Sequence, residues 1–552
     1  MNARVNVPVD ILLPDPDPAR EIDVLFTGPD GEELQLPAFR RSGGELVVRF
    51  AGRAVGEYAY RVLPDGEADT VTVLPYDGDN PLYRRGRLGV SSNNRYLVHS
   101  DGHPFFWLAD TWWMGLTKRL EFPADFHRLL EDRTAKGFTV VQIVAGLYPD
   151  MPAFDERGAN EVGFPWTEGF GRLVPGYFDA ADERIRSLVE HGIVPCIVGC
   201  WGYFLPWMGE EKMKRHWRNL VARYAAFPVV FCLAGETVMP YYLSTTKEED
   251  AASQKRGWTD VARYVRGIDA YRDPLTAHPT ERGWDQLEDP LLMDFEMLQT
   301  GHGDRASLPT TMRAVADSYR RGRMPVLNSE VCYEGIGQAS RQDVQRYVFW
   351  ICILSGACGH TYGANGIWQV NSKKERYGPS PHGMEWGDTP WEEAYRLPGS
   401  AHVSQAKRFL ERYAWHELEP HQDWVEPAAT EDEPLGPYAA GIAEELLVVY
   451  FPSFVWGGVI VSGLAAGARY RVVLYDPVRG STLEKEAITA EADGSWRIPR
   501  EDGAGRLRSY FPLYQDWVMV LERQSGRRRS RLSCRPRGLP RSWCGGSDPS
   551  LS

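Results

Sequence analysis

The sequence predicts an α/β fold: a (β/α)8 TIM barrel flanked by an N-terminal and a C-terminal β-sandwich domain. The first observation is that, from about residue 90, short apolar runs alternate with amphipathic helical stretches until eight strands have passed, as in a parallel barrel. The second is that both flanks contain only short strands separated by turn residues. The third is the length of 552 residues, which exceeds what one hydrophobic core accommodates.

The N-terminal flank, residues 1–88, is predicted to be a β-sandwich. Strand-like runs lie at residues 22–27, 45–50, 57–62 and 69–74, and Gly, Pro and Asp occupy the turns between them. Turn signals about every ten residues are typical of small antiparallel sandwiches. Catalytic residue types do not gather in this region, so we expect no chemistry there.

Residues 89–420 are predicted to form the barrel. Its strands are expected at residues 105–109, 139–144, 193–198, 229–233, 275–278, 291–298, 324–330 and 358–362. Each is a short apolar run, the usual form of a strand that is buried on both faces of a parallel sheet. The predicted helices include one that starts at Ala124, one from Phe178, one through Trp217, one near residues 250–268 and one at residues 344–354.

The C-terminal flank, residues 421–523, is predicted to be a second β-sandwich. Its strand-like runs lie at residues 445–450, 458–461, 470–475 and 517–521. The last segment, residues 524–552, contains Arg527-Arg-Arg-Ser-Arg and almost no apolar side chains. It is therefore predicted to be a disordered basic tail.

Composition argues against several classes of protein. The net charge of −13 disfavours a nucleic-acid partner. No run of eighteen apolar residues exists, so no membrane span or membrane partner is expected. The first ten residues lack the basic start and apolar core of a signal peptide. Most of the eight cysteines lie in or beside apolar runs without zinc-type spacing, which indicates buried thiols and a cytoplasmic location.

Two glutamates follow the fourth and seventh predicted strands. Glu236 comes just after the strand at residues 229–233, and Glu330 ends the strand at residues 324–330. The strands of a barrel end at one rim, so both carboxyl groups are expected at that rim. Hydrolysis of a glycosidic bond needs one carboxyl group to protonate the leaving oxygen and a second to support the developing positive charge. The pair therefore predicts a glycosidase.

Polar and aromatic residues stand at or near the other predicted strand ends. The candidates for substrate binding are Asp110, Trp112, Trp113, Gln142, Trp201, Tyr203, His278, Gln299, His302, His360, Tyr362 and Trp368. Aromatic rings pack on the apolar faces of sugars, and polar groups bind their hydroxyls. The long loop after the eighth strand, with Trp368, Trp386 and Trp391, is expected to wall the cleft. The histidines lack close-spaced partners, so neither a metal nor another cofactor is expected.

The segments Pro104-Phe-Phe-Trp-Leu-Ala-Asp-Thr-Trp-Trp113 and Gly137-Phe-Thr-Val-Val-Gln142, together with the two acid-bearing strands, resemble the apiosidase-like catalytic domains of glycoside hydrolase family 140. The resemblance covers about residues 90–415. The flanks are similar to that family's usual partners, an N-terminal immunoglobulin-like domain and a C-terminal domain named for collagen binding. There are two departures: Gly235 stands where the retaining clan usually has Asn, and Glu236 stands where some members have Asp.

The resemblance implies a retaining mechanism, with Glu236 as general acid/base and Glu330 as nucleophile. It also implies a terminal furanoside, such as apiose or arabinose, as the bond that is cleaved. The tryptophan-rich loops after the third and eighth strands favour a closed pocket, exo action, and an oligosaccharide or glycoside substrate. One alternative is an endo-acting β-glucanase or cellulase-like hydrolase. Another is a non-catalytic carbohydrate-binding or adhesion protein, which the presence of both acids disfavours. The oligomeric state is left open.

Overall fold

The computed structural model describes residues 1–14, 20–64, 66–501 and 504–524 of the chain. The N-terminal part contains β1 (Asn2–Arg4), β2 (Val9–Leu13), β3 (Asp23–Thr27), β4 (Glu33–Pro37), β5 (Phe39–Arg40), β6 (Leu46–Phe50), β7 (Gly56–Val62) and β8 (Ala68–Leu74). They form two sheets, in the orders β1-β8-β7-β3-β4 and β2-β6-β5. Phe26 and Phe50 stack in the core with ring centroids 4.3 Å apart. The predicted β domain at this end is confirmed.

Buried ion pairs fix the N-terminal part to the barrel. The guanidinium of Arg49, on β6, contacts Asp10 at 2.6 Å and Asp182 of the barrel at 3.1 Å. It also donates to the backbone carbonyl of Arg223, at 2.6 Å. The chain then passes through α1 (Pro81–Arg85) and a small sheet of β9 (Leu88–Val90), β10 (Leu97–His99) and β11 (Pro104–Phe105) before it enters the barrel.

Eight parallel strands form the barrel. They are β12 (Trp107–Thr111), β13 (Val140–Val144), β14 (Val194–Val198), β15 (Val230–Cys232), β16 (Leu275–Thr276), β17 (Glu296–Gln299), β18 (Val326–Glu330) and β19 (Gly359–Tyr362). The order is β16-β15-β14-β13-β12-β19-β18-β17, so the sheet curls into a nearly closed barrel with β16 and β17 at its edges. Every residue of these strands is buried, as expected for strands with both faces covered. The predicted barrel is confirmed.

Helices surround this barrel and pack on its outer face. They are α2 (Ala124–Lys136), α3 (Pro175–Glu190), α4 (Phe204–Met208), α5 (Glu210–Tyr224), α6 (Lys247–Ile268), α7 (Leu308–Arg321), α8 (Gln342–Leu354), α9 (Trp391–Ala394) and α10 (Pro398–Leu410). Short 3-10 helices occur in the loops at Glu156–Gly158, Glu168–Phe170, Gly283–Asp285, Pro290–Leu292, Asp304–Ser307, Ile336–Gln338, Trp415–Glu417 and Gln422–Trp424.

The predictions for the fifth and sixth strands were wrong in extent. The fifth was expected over residues 275–278, but β16 contains only Leu275 and Thr276. The sixth was expected over residues 291–298, but the chain around Leu291 is a 3-10 helix and β17 begins at Glu296. Asp289 caps this short helix by accepting a hydrogen bond from the backbone N–H of Leu291, and the following proline stabilises its first turn. An apolar run alone does not distinguish these two local structures.

The C-terminal part contains β20 (Glu419–Pro420), β21 (Val425–Glu426), β22 (Tyr438–Ile442), β23 (Leu446–Phe451), β24 (Ile460–Val461), β25 (Arg469–Asp476), β26 (Ser481–Thr489), β27 (Trp496–Arg497) and β28 (Trp517–Arg523). They form antiparallel sheets in the orders β20-β22-β23-β28-β25-β26 and β21-β24-β27. The predicted second β domain is confirmed. The predicted basic tail spans residues 524–552, and all of it after Gln524 lies outside the described residues. The exact domain boundaries stay predictions.

The helices that the structure describes include none that is both long and apolar enough to cross a membrane. The cysteines at 196, 200, 232, 332, 352 and 358 are buried free thiols. Burial raises the pKa of Cys196 and Cys200 well above the ordinary thiol value, so these two behave as inert core residues rather than nucleophiles.

Candidate active site

Two glutamates meet at the C-terminal rim of the barrel. Glu330 is the last residue of β18, and Glu236 lies four residues beyond the end of β15. The side-chain amide of Gln299, the last residue of β17, donates to Oε1 of both: at 3.0 Å to Glu330 and at 3.3 Å to Glu236. Two carboxyl groups that share one amide nitrogen lie close enough to act on the same bond.

Histidines surround the carboxylate of Glu330. Nε2 of His302 lies 2.8 Å from Oε1, and Nε2 of His278 lies 3.4 Å from Oε2. Nδ1 of His302 accepts a hydrogen bond from the backbone N–H of Tyr333, which leaves its Nε2 as the donor to Glu330. Burial alone would raise the pKa of Glu330, but the imidazole nitrogens of His278 and His302 beside the carboxylate outweigh it and hold that pKa far below its ordinary value.

Glu236 has the opposite electrostatic environment. Nε1 of Trp201 donates to its Oε2 at 3.1 Å, and no cationic side chain pairs with it among the described residues. Burial, reinforced by the negative charge of Glu330, raises the pKa of Glu236 above its ordinary value. One carboxyl group is therefore held ionised and the other is biased toward its protonated form, which is the division of roles that acid/base chemistry needs.

The backbone at Glu236 is held in an unusual conformation. Its φ is 42°, in the left-handed region that a glutamate rarely adopts, and such conformations cluster at functional sites. The preceding Gly235 lies against the ring of Trp201, and a Cβ at this position would come within 2.2 Å of that ring. This contact explains why glycine precedes Glu236.

A pocket opens above the two carboxyl groups, with a cavity volume of about 200 Å³. This is smaller than the roughly 300–1,000 Å³ of sites for drug-sized ligands. The residues that line it are Trp113, Pro149, Asp150, Trp201, Glu236, Met239, Tyr242, Gln299, His302, Glu330, Tyr333, Ile336, Trp368, His382 and Trp386. Aromatic walls with a few convergent polar groups suit a small polyhydroxylated ligand.

The structure brings five of the predicted substrate-binding residues into the pocket lining: Trp113, Trp201, Gln299, His302 and Trp368. A sixth, His278, is fully buried behind the lining, where it contacts Glu330. In the loop after β19, Trp386 also lines the pocket, whereas Trp391 is buried in α9. The prediction that the loop walls the cleft therefore matches the positions of two of its three tryptophans.

The other predicted binding residues lie beneath or beside the pocket and make internal contacts. The amide of Gln142 donates to the carbonyl of Ser329 at 3.0 Å, the hydroxyl of Tyr203 to the carbonyl of Tyr148 at 3.1 Å, and the hydroxyl of Tyr362 to Glu334 at 2.6 Å. His360 is fully buried and packs edge-on against Phe349. Trp112 is buried, and its Nε1 donates to Asp110 at 2.8 Å.

Asp110 forms a buried ion pair instead of facing a ligand. Its Oδ2 lies 2.5 Å from Nε of Arg133, and both side chains are completely buried. The guanidinium also contacts Asp132. Asp110 therefore neutralises the buried positive charge of Arg133. This contact assigns it a role in stability rather than in ligand binding.

This ion pair gives a stability prediction. Asp110→Asn keeps an oxygen that can accept the hydrogen bond from Trp112, but among the described residues it leaves Asp132 as the one carboxylate paired with the buried Arg133. The free energy of unfolding should therefore fall by about 3 kcal/mol. Urea unfolding followed by tryptophan fluorescence measures it. The matched control is Glu156→Gln, which breaks the exposed pair of Lys118 and Glu156 and should cost less than about 1 kcal/mol. Equal unfolding midpoints for the two variants would contradict the assignment.

Sequence reasoning missed four pocket residues that carry polar groups: Asp150, Tyr242, Tyr333 and His382. The hydroxyl of Tyr333 accepts a hydrogen bond from Nε1 of Trp113 at 3.0 Å. Burial, together with the negative charge of Glu330, raises the pKa of Tyr333 well above its ordinary value, so its hydroxyl remains a donor. The sequence offered one indication for Tyr333: it lies only three residues after Glu330, the last residue of β18. The other three lie in long loops, where no periodicity marks them.

No group of three or more His, Cys, Asp and Glu side chains suited to hold a metal ion occurs in the part of the chain that the structure describes. The histidines at the site are engaged differently: His302 and His278 both point a ring nitrogen at Glu330. The polar groups of the pocket are therefore organised around two carboxylates.

Comparison with known proteins gives one family match. The model of the apiosidase-like catalytic domain matches residues 91–417. A search of curated proteins found no match.

Solved structures share the fold at low sequence identity. A glycoside hydrolase is 21% identical with a TM-score of 0.65, over 81% of this chain and 98% of that one. A glycoside hydrolase family 5 protein from Bacteroides vulgatus ATCC 8482 is 22% identical with a TM-score of 0.64, over 81% and 95%. A third structure, described as a candidate glycoside hydrolase of the same organism, is 16% identical with a TM-score of 0.68, over 95% and 100%.

Proposed function

From the premise that this chain belongs to the apiosidase-like family of glycoside hydrolases, we propose that it cleaves a terminal furanoside, with retention, through Glu330 as nucleophile and Glu236 as general acid/base. That the protein is a glycosidase acting on a glycan follows from the family. The sugar, the stereochemistry and the roles of the two glutamates are the proposal.

One observation carries the proposal: two carboxyl groups on one amide donor, with opposite pKa shifts. Gln299 contacts both glutamates, and two histidines hold Glu330 ionised, as a nucleophile requires. Burial and the neighbouring charge favour the protonated form of Glu236, as a general acid requires. The same group, once deprotonated, would accept a proton from the water that hydrolyses the glycosyl-enzyme.

The short separation supports retention over inversion. Retaining enzymes hold their carboxyl groups about 5–5.5 Å apart, and inverting enzymes about 6.5–9.5 Å apart. Nε2 of Gln299 lies 3.0 Å from Oε1 of Glu330 and 3.3 Å from Oε1 of Glu236, so these two oxygens are closer together than the inverting range. Direct attack by Glu330 on the sugar therefore fits the geometry better than attack by an interposed water.

The furanoside and exo assignments rest on the family and on the small pocket. A cavity of about 200 Å³, walled by Trp368 and Trp386 of one long loop, suits the end of a chain better than its interior. The competing hypothesis is an endo-acting β-glucanase, which would need an open cleft for a polymer. A non-catalytic carbohydrate-binding protein is disfavoured because the surroundings shift the pKa values of the two carboxyl groups in opposite directions.

Product analysis tests substrate and mode of action together. We expect release of 4-nitrophenol from aryl apiofuranosides or arabinofuranosides, little release from the aryl β-glucopyranoside, and single sugars as the first products from oligosaccharides. The physical reason is that the pocket admits one terminal unit. Thin-layer or mass-spectrometric analysis of early time points measures it, and a ladder of internal fragments from a β-glucan would contradict the proposal.

The histidine beside the nucleophile gives a prediction for pH dependence. His302→Ala removes one hydrogen bond that holds Glu330 ionised, so the pKa of Glu330 should rise. Because the nucleophile must be ionised, the acidic limb of the profile of kcat/KM against pH should move to higher pH. His302→Gln, which keeps an N–H donor, is the matched variant and should restore most of the wild-type limb. Identical profiles for wild type and His302→Ala would contradict this role.

A further inference from the structure

A third carboxyl group lies in the pocket and takes no part in the mechanism above. Asp150 follows β13 on a long loop, its φ is 60°, and its side chain lines the pocket although only 3% of the residue is exposed. Double displacement at a glycosidic bond needs two carboxyl groups. A third, held in a strained backbone conformation within the same pocket, calls for a separate explanation.

Two other loops contact the loop that carries Asp150. Nε1 of Trp386, from the loop after β19, donates to its Oδ2 at 3.0 Å. Its backbone N–H donates to the hydroxyl of Tyr242, from the loop after β15, at 3.2 Å. Tyr242 in turn stacks on His382, with ring centroids 5.0 Å apart. The position of this carboxyl group is therefore fixed from both sides of the pocket mouth.

One oxygen of this carboxyl group has no hydrogen-bond partner in the part of the chain that the structure describes. Oδ1 of Asp150 is buried without a hydrogen-bond partner among the described residues. The guanidinium of Arg157 does not supply one, because its three nitrogens contact Asp155 and backbone carbonyls. The hydroxyl of Ser380 also lies near this carboxyl group, but it donates to the backbone carbonyl of Met384 at 3.2 Å. A buried carboxylate oxygen that serves only the fold would be expected to have a donor. An unpaired one in a ligand pocket is available to a donor on the ligand.

We propose that Asp150 is a substrate-recognition residue whose free oxygen accepts hydrogen bonds from hydroxyl groups of the bound sugar, and that it selects neutral sugars against sugar acids. The inference rests on the proposed function, since it concerns the same pocket. It adds the class of sugar: one that presents hydroxyl donors and carries no carboxylate at the mouth of the pocket.

The charge of the pocket supports the selection. Glu236, Glu330 and Asp150 all line it, and the described lining residues include no lysine or arginine. A uronic acid would bring a fourth carboxyl group into this buried site, whose described lining offers no lysine or arginine to pair with it, so its binding is disfavoured. A neutral sugar brings only hydroxyl groups, each of which can donate to a carboxylate.

The protonation of Asp150 adds a pH dependence to binding. Burial raises its pKa to about 7, against the lowering effects of Trp386, Arg157 and Ser380, and the charge of Glu236 adds to the rise. Tyr242 and His382 also face it. The ionised form offers more acceptor sites than the neutral form. Affinity for a neutral sugar should therefore increase as pH rises from 6 to 8, as Asp150 loses its proton.

Equilibrium binding tests this without requiring turnover. Quenching of tryptophan fluorescence would be titrated with D-apiose, L-arabinose, D-galactose, D-glucuronate and D-galacturonate, at pH 6 and pH 8. In Asp150→Asn the amide oxygen still accepts from Trp386, but an NH2 group replaces the free acceptor oxygen. We expect the best neutral sugar to bind roughly 10- to 100-fold more weakly to this variant, and the pH dependence to disappear.

Glu385→Gln is the matched control, because Glu385 is an exposed carboxylate next to Trp386 and outside the lining; it should bind as wild type does. The proposal would be overturned if Asp150→Asn bound the neutral sugars as wild type does, if a sugar acid bound wild type more tightly, or if no neutral sugar bound. Neutral sugars that bind but whose aryl glycosides are not cleaved would instead refute the proposed catalysis and leave the role of Asp150 standing.

Discussion

Replacing Glu330 by glutamine is expected to lower kcat by about 10⁴-fold or more, the scale on which loss of a covalent nucleophile acts. Glutamine keeps the shape of the side chain and the hydrogen bond to Gln299, but its amide cannot form the glycosyl ester. The carboxylate of Glu330 is buried, and His302 and His278 beside it favour its ionised form. Initial rates with an aryl furanoside measure the effect, with thermal unfolding as the check on folding.

A second buried glutamate provides the control. Glu334 lies four residues beyond Glu330, accepts a hydrogen bond from Tyr362 and is not part of the pocket lining. Glu334→Gln should therefore leave kcat close to the wild-type value even where it lowers stability. If Glu330→Gln retained a tenth of wild-type kcat, or if Glu334→Gln lost as much activity, the nucleophile would have to be sought elsewhere.

Glu236→Gln is expected to have the other large effect, and that effect should depend on the leaving group. With a poor leaving group that needs protonation, kcat should fall by about 10²–10⁴-fold. With a 2,4-dinitrophenyl glycoside the first step needs no acid, so a rapid burst should precede slow hydrolysis of the glycosyl-enzyme. Azide, which needs no general base, should restore turnover and give a glycosyl azide.

The pH profile of the same variant provides a second criterion. As the proposed general acid, Glu236 would have to be protonated for the first step, so wild-type activity should decline as pH rises through its raised pKa. That basic limb should be absent from Glu236→Gln with the activated substrate. A variant that kept the basic limb, or kept a tenth of wild-type kcat on the poor leaving group, would show that Glu236 is not the acid.

The barrel and the two glutamates could be predicted because both depend on local patterns. A short apolar run followed by a carboxylate marks the end of a buried parallel strand, and all such ends lie at one rim. The same rule does not give the direction of a side chain. Asp110, Gln142 and Tyr362 lie within β12, β13 and β19, and they contact other internal groups beneath the pocket.

The pocket mouth could not be predicted for a different reason. Asp150, Tyr242 and Trp386 belong to three loops that are distant in sequence and meet only through the contacts they make with one another. No periodicity or turn motif in the sequence predicts contacts between loops that are so far apart in the chain. Gly235 shows the converse. Its position before Glu236 is visible in the sequence, but the ring of Trp201, which leaves no room for a larger side chain, is visible only in the structure.

The most direct test of the central claim is to trap the covalent intermediate. Glu236→Gln would be mixed with a 2,4-dinitrophenyl furanoside, quenched in acid within the burst phase, and its intact mass measured before peptide mapping. Retention through Glu330 predicts a mass increase of one anhydro-sugar unit, located on the peptide that contains Glu330. A burst of product with inverted configuration and no adduct, or an adduct on another side chain, would contradict it.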